Sequence, residues 1–164
     1  MVSGLMNSFI RLSFLPHGYN LALLLLRVCV GASLFLRHGL EKVTGFSQMA
    51  PHFPDPLHIG PQWSLAYALF CDGLCSLFLI IGLGTRWAAL FIAINTTVAF
   101  TFVHKLRLSG EHGGELAWLY LAAALTLLIA GAGKFSIDHG LGSHSGEHRE
   151  PRQANRRKFR ATAR

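Results

Sequence analysis

Two short units in this sequence combine an imidazole with a carboxylate at helical spacing: His38-Gly39-Leu40-Glu41 and His112-Gly113-Gly114-Glu115. A separation of three residues puts both side chains of a unit on one helix face. His104 stands shortly before the second unit. Imidazole and carboxylate together can ligate a transition metal when outer groups orient them. The same groups can hold a quinone headgroup or exchange protons with it. His and Glu are also ordinary solvated residues where helices leave a membrane. These readings stay open for His38, Glu41, His104, His112 and Glu115, and no metal is assigned.

A second constellation lies inside apolar stretches: Arg27, Asp72 and Asn95. A charge in hydrocarbon costs a few kcal/mol or more, so each such charge needs a partner. Counted from the same end of their helices, Arg27 lies roughly 10 Å in, Asp72 roughly 18 Å and Asn95 roughly 15 Å. An arginine side chain spans such differences. The expected arrangement is an Arg27–Asp72 pair with Asn95 adding hydrogen bonds. Such a pair either fixes helix packing or belongs to a proton or quinone-headgroup site.

The elements that must position these groups follow from composition. Of 164 residues 51% are apolar and only 14% charged, which excludes both an ordinary soluble domain and a disordered chain. The apolar residues fall in four runs, about 20–38, 62–84, 85–104 and 114–133. Each is long enough to cross a ~30 Å hydrocarbon core as a helix, and none shows the alternation of barrel strands. The expected fold class is all-α, an integral membrane four-helix bundle. Trp63, Trp87, Trp118 and Tyr120 stand near run ends, as interfacial aromatics do. The short link through Gly82, Gly84 and Thr85 predicts an antiparallel hairpin of runs two and three.

The connection from Gly39 to Pro61 carries Pro51, Pro54 and Pro56 and is expected to be irregular. Residues 1–19 are expected to form a cytoplasmic segment, either a short interfacial helix or a frayed end. The first run is long and carries Arg27, so it reads as a retained helix and not as a cleaved signal. Residues 141–164 read as a disordered, basic cytoplasmic tail. That tail holds Arg149, Arg152, Arg156, Arg157, Lys158, Arg160 and Arg164, which can meet anionic lipid headgroups; no nucleic-acid partner is expected. Cys29, Cys71 and Cys75 all lie in apolar runs and read as packing thiols. Lys and Arg are in excess on the side of the termini, which places a multi-pass protein in the cell (inner) membrane with both termini cytoplasmic.

The order of short motifs along the four runs resembles the DoxX family of membrane proteins. Run one carries Arg27 and ends in Gly39-Leu40-Glu41-Lys42. Run two carries Asp72-Gly73 and ends in Gly82 to Arg86. Run three ends in His104. Run four leads into Gly131 to Asp138, a Gly-x-Gly-Lys-x-Ser-Ile-Asp segment. The resemblance covers about residues 20–140. Asp72 stands where the family more often carries Glu, one methylene longer. Some DoxX relatives are subunits of a membrane thiosulfate:quinone oxidoreductase, and others associate with redox-defence complexes. The resemblance therefore implies a small membrane subunit of a quinone-linked oxidoreductase system, with quinone as candidate cofactor and a protein partner in a membrane complex. Fold does not fix function, so catalytic residues stay unknown. The alternative is a non-enzymatic membrane scaffold or assembly factor. A small transporter fits less well, because no pair of discontinuous helices marks a transport site.

Overall fold

The computed structural model describes residues 18–110 and 113–146, and among these every regular element is helical. Helix α1 spans Tyr19–Thr44. A short helix α2, Phe46–Met49, and a 3-10 turn, Ala50–His52, follow. Helix α3 spans Pro61–Ile81, α4 Thr85–Val103, α5 Glu115–Ala130 and α6 Ile137–Gly146. Three of these, α1, α3 and α4, are long and apolar enough to cross a membrane by length and composition. Helix α5 is equally apolar but shorter. His112 lies outside the described residues, as do 1–17 and the basic stretch from 147 onward.

Helix α1 packs on α3, α3 on α4, α4 on α5, and α5 closes back onto α1. Leu23, Leu34, Leu79, Ile92, Ala124 and Leu127 fill the centre. Small residues let α1 and α3 approach closely. A Cβ on Gly31 would stand 2.7 Å from the Ser76 carbonyl oxygen, and one on Gly39 would stand 2.7 Å from that of Asp72.

The connection after α1 differs from the expected irregular loop. The helix continues through Thr44 and further turns reach His52, because no proline occurs between Gly39 and Pro51. Pro51 itself sits at the start of the 3-10 turn, where its missing N–H is no loss. Only residues 53–60 are irregular. Past residue 137 the chain is again helical as far as Gly146, beyond the position where the tail was expected to begin.

Each of α1, α3 and α4 contains one π-helical turn: Phe35–Gly39, Phe70–Cys75 and Ala99–Val103. Such turns carry an extra residue and recur at functional sites.

The end of the bundle bearing the α3–α4 hairpin is locked by the segment after α5. Gly82 ends α3 in the left-handed conformation (φ 72°), which glycine adopts without steric cost. The Asp138 carboxylate accepts from Gly84 N (2.7 Å) and Thr85 N (2.9 Å). These are first-turn N–H groups of α4 that have no acceptor within the helix. Asp138 N donates back to Gly82 O (3.0 Å).

Arg27 joins this end of the molecule, and the expected Arg27–Asp72 pair is not formed. Fully buried, Arg27 donates from Nη2 to the Phe135 carbonyl and from Nη1 to that of Leu79 (3.5 Å). A side chain on Gly82 would collide with this guanidinium. The physical reason is reach: the last carbonyls of α3 lack helical donors, and they lie nearer to Arg27 than the middle of α3 does.

Candidate functional site

Asp72 finds its counter-charge from the opposite direction. Lys42, about one turn beyond the end of the first apolar run, donates from Nζ to Asp72 Oδ2 at 2.9 Å, and both side chains are buried. Asn95 Nδ2 donates to Asp72 Oδ1 at 3.0 Å. The Lys42 ammonium also reaches the His38 carbonyl oxygen (3.3 Å). Asp72 stands roughly 16 Å along α3 from Pro61, so the pair lies near the middle of the helix.

Above this pair opens a cavity of about 630 Å³, within the range of about 300–1,000 Å³ typical of small-molecule sites. Lys42, Asp72 and Asn95 form part of its wall, with His38, Ser64, Tyr67, His104 and Tyr120. The rest is apolar: Leu34 and Ala68, then Val98, Ala99 and Val103 of α4, and Leu116 and Ala117 of α5. Tyr120 is held by a hydrogen bond between its hydroxyl and that of Ser33 (2.6 Å). The His38 ring stands edge-on to it, with centroids 6.0 Å apart.

The irregular segment covers the cavity, contributing Phe53, Pro54, Pro56, Leu57 and Ile59. Asp55 organises it. Its Oδ1 accepts from Ile59 N (3.1 Å) and Ser64 Oγ (2.8 Å), and its Oδ2 from Gly60 N (2.8 Å). Desolvation opposes ionisation of Asp55, but the Ser64 hydroxyl and the Gly60 and Ile59 amides outweigh it and hold the carboxyl below its ordinary value. A carboxyl so lowered contributes its full share above the ordinary carboxylate range near ~4. That share is lost only as pH falls through the lowered folded value. Amide exchange at Ile59 and Gly60, corrected for intrinsic rates, is therefore expected to stay slow from neutral to mildly acidic pH and to quicken only in stronger acid. In Asp55→Ala it should be fast at every pH. Equal protection in variant and parent would show that Asp55 does not latch the segment.

The five residues of the expected His/Glu cluster separate. His38 and His104 line the cavity. Glu41 is exposed and does not line it: one residue before Lys42, it is turned about 100° around the helix. Glu115 is exposed as the first residue of α5, where a carboxylate favours the helix N-terminus. Among the described residues no group of three or more His, Cys, Asp or Glu side chains is arranged to hold a metal.

Tyr67 and Asp55 were not singled out from the sequence; Lys42 stood there only as a flanking charge and motif end, and Tyr120 as an interfacial aromatic, whereas it is buried in the cavity wall. Lys42 had a signal: Arg27, Gly31, Leu34, His38 and Lys42 repeat at three- and four-residue steps, one stripe of a continuous helix.

The DoxX family model matches residues 22–105, a span that takes in α1, α3, α4 and the whole Lys42–Asp72–Asn95 group. The chain belongs to the DoxX family. Two uncharacterized proteins of Haemophilus influenzae (strain ATCC 51907 / DSM 11121 / KW20 / Rd) are similar to it. One is 33% identical over 131 residues, covering 74% of this chain and 83% of the relative. The other is 36% identical over 69 residues, covering 39% of this chain and 52% of the relative. No solved structure matches. As a DoxX protein with three membrane-length apolar helices, the chain is a membrane protein in contact with the lipid bilayer. The DoxX match ends at residue 105, so Tyr120 and the Gly131–Asp138 segment, which complete the cavity wall and the hairpin lock, lie beyond it.

Proposed function

We propose that this DoxX protein is a small integral membrane subunit of a quinone-linked oxidoreductase system, and that its cavity receives the quinone headgroup. The supporting observation is the cavity itself: apolar walls around one polar group built from Lys42, Asp72 and Asn95. A quinone ring is a flat apolar body with carbonyl acceptors. Lys42 carries three N–H donors; two are directed to Asp72 and the His38 carbonyl, which leaves one for a guest. Asn95 has a second amide N–H, and His38 offers an imidazole at the same wall. When bound, the quinone would supply the electron-accepting chemistry; the protein's groups orient it, exclude water and hold protons nearby.

In this reading the chain crosses the membrane four times, α5 being the fourth crossing. At ~1.5 Å per residue α5 is roughly 24 Å long, which a locally thinned bilayer accommodates. Both termini are cytoplasmic. Lys42 is consumed in a buried ion pair, so it no longer counts among the flanking charges of the opposite side. The excess of Arg86, Lys134 and the basic tail over Arg37, Lys105 and Arg107 grows accordingly.

The test is to purify the protein in detergent, alone and with co-purifying partners, and to extract and quantify bound quinone. We expect near-stoichiometric quinone in the parent. In His38→Phe, which keeps an aromatic ring but removes the imidazole, affinity should fall about tenfold, the worth of one good hydrogen bond. No quinone in either preparation would overturn the proposal. Dependence of a partner complex on this chain for assembly, without bound quinone, would establish the scaffold alternative.

A further inference from the structure

The wall of the cavity reaches the outer surface of the bundle on α4 as well as beneath the covering loop. The inner half of α3 packs on α4, but its outer turns, Pro61–Leu69, take their main neighbours from α1 and the 3-10 turn Ala50–His52. Beside the cavity these turns make little contact with α4, which leaves room for a gap there. Ile94 marks where it reaches the surface: it lines the cavity and is 45% exposed. Ile94 stands roughly 14 Å along α4 from Thr85, close to the middle of the helix, where the surroundings of a membrane protein are hydrocarbon. Val98, one turn further, lines the same side. The Phe70–Phe91 pair, with ring centroids 5.3 Å apart, closes α3 against α4 on the hairpin side and forms the lower edge of the gap.

We infer that the site is loaded laterally from the bilayer, by an amphiphile with one polar ring and a long hydrocarbon chain, and that the chain leaves between α3 and α4 past Ile94 and Val98. This rests on the quinone reading and narrows it from quinones in general to those with a membrane-soluble tail. An opening at mid-membrane depth admits an apolar chain freely and a water-soluble guest poorly. The polar group lies at the inner end of the cavity and the apolar exit beside it. A bound amphiphile therefore keeps its head on Lys42 and Asn95 while its tail stays in lipid.

Two measurements on the full chain in nanodiscs test this. The first compares a long-tailed quinone with its tailless ring analogue in the parent and in Ile94→Trp, which obstructs the gap. The parent should prefer the tailed compound at least tenfold. The variant should lose that preference, its affinity for the tailed compound falling further than its affinity for the ring analogue. Equal affinity for both compounds in the parent would overturn lateral loading and leave the quinone reading standing. The second uses quinones carrying a photoreactive diazirine on the tail or on the ring. Tail labelling should map to Ile94, Val98 and Phe70, and ring labelling to His38 and Asn95. Tail labelling at Leu57 and Ile59 instead would place the exit at the loop and overturn the inference. No cavity labelling by either probe would overturn the quinone reading, and lateral loading with it.

Discussion

Asp72→Ala is expected to destabilise the protein by about 3–5 kcal/mol, the cost of leaving a buried charge without its partner. Lys42 would remain inside the bundle with only the His38 carbonyl as acceptor, and Asn95 would lose its own partner. The measurement is reversible unfolding in mixed micelles, followed by helical circular dichroism. Asp72→Glu keeps the charge with one added methylene and should recover most of the loss. Lys42→Met combined with Asp72→Leu removes both charges at similar volume. It should approach parental stability, because a matched apolar replacement of an ion pair is often neutral, while quinone affinity falls. A single Asp72→Ala variant as stable as the parent would mean that Lys42 escapes to water, and the buried pair would then not hold α1 to α3.

Gly39→Ala ranks second. The new methyl would face the Asp72 carbonyl oxygen at 2.7 Å and the Gly73 Cα at 3.1 Å. Both are backbone atoms, so no side-chain rotation relieves the clash. Overpacking of this kind costs about 1–3 kcal/mol. The relief available is separation of α1 from α3, which would stretch the Lys42–Asp72 contact one helical turn away. The expected result is a lower unfolding midpoint together with weakened quinone binding. A parallel loss of about the same size in Gly31→Ala, facing the Ser76 carbonyl, should leave quinone binding largely intact, because Gly31 lies nearer the Arg27 end. Equal loss of binding in both variants would show that Gly39 acts only through general stability.

The long helices were legible in the sequence because hydropathy reports burial in lipid directly. The expected runs 85–104 and 114–133 differ by only a few residues from α4, Thr85–Val103, and α5, Glu115–Ala130. The end of α1 was not legible. Hydropathy falls at Arg37 and His38, yet the helix continues through Thr44, since a buried lysine with a partner costs far less than its transfer value implies. Lys42 was therefore counted as a flanking charge, and Arg27 was given the acid that Lys42 in fact holds. Backbone acceptors leave no mark in a sequence, so the carbonyls of Leu79 and Phe135 that satisfy Arg27 could not be anticipated. The hydrogen bond from Asn95 to Asp72 follows from the depth of the two residues, which residue counting does give. Glu41 and Glu115 illustrate the limit of spacing arguments: three-residue spacing puts a pair on one face without saying which way that face turns.

The π turns bear on how this molecule can change over generations. One extra residue advances a helix by about 100°, so the stretches on either side of such a turn keep independent phases. In α1 the Phe35–Gly39 turn separates the part that aims Arg27 from the part that aims Lys42. Losing a single residue there would leave the arginine at its carbonyls and swing the lysine more than a quarter turn away from Asp72. The same separation exists in α3 and α4. A lineage can thus retune the chamber by inserting or deleting single residues at these joints, without disturbing the lock that keeps the other end of the bundle assembled.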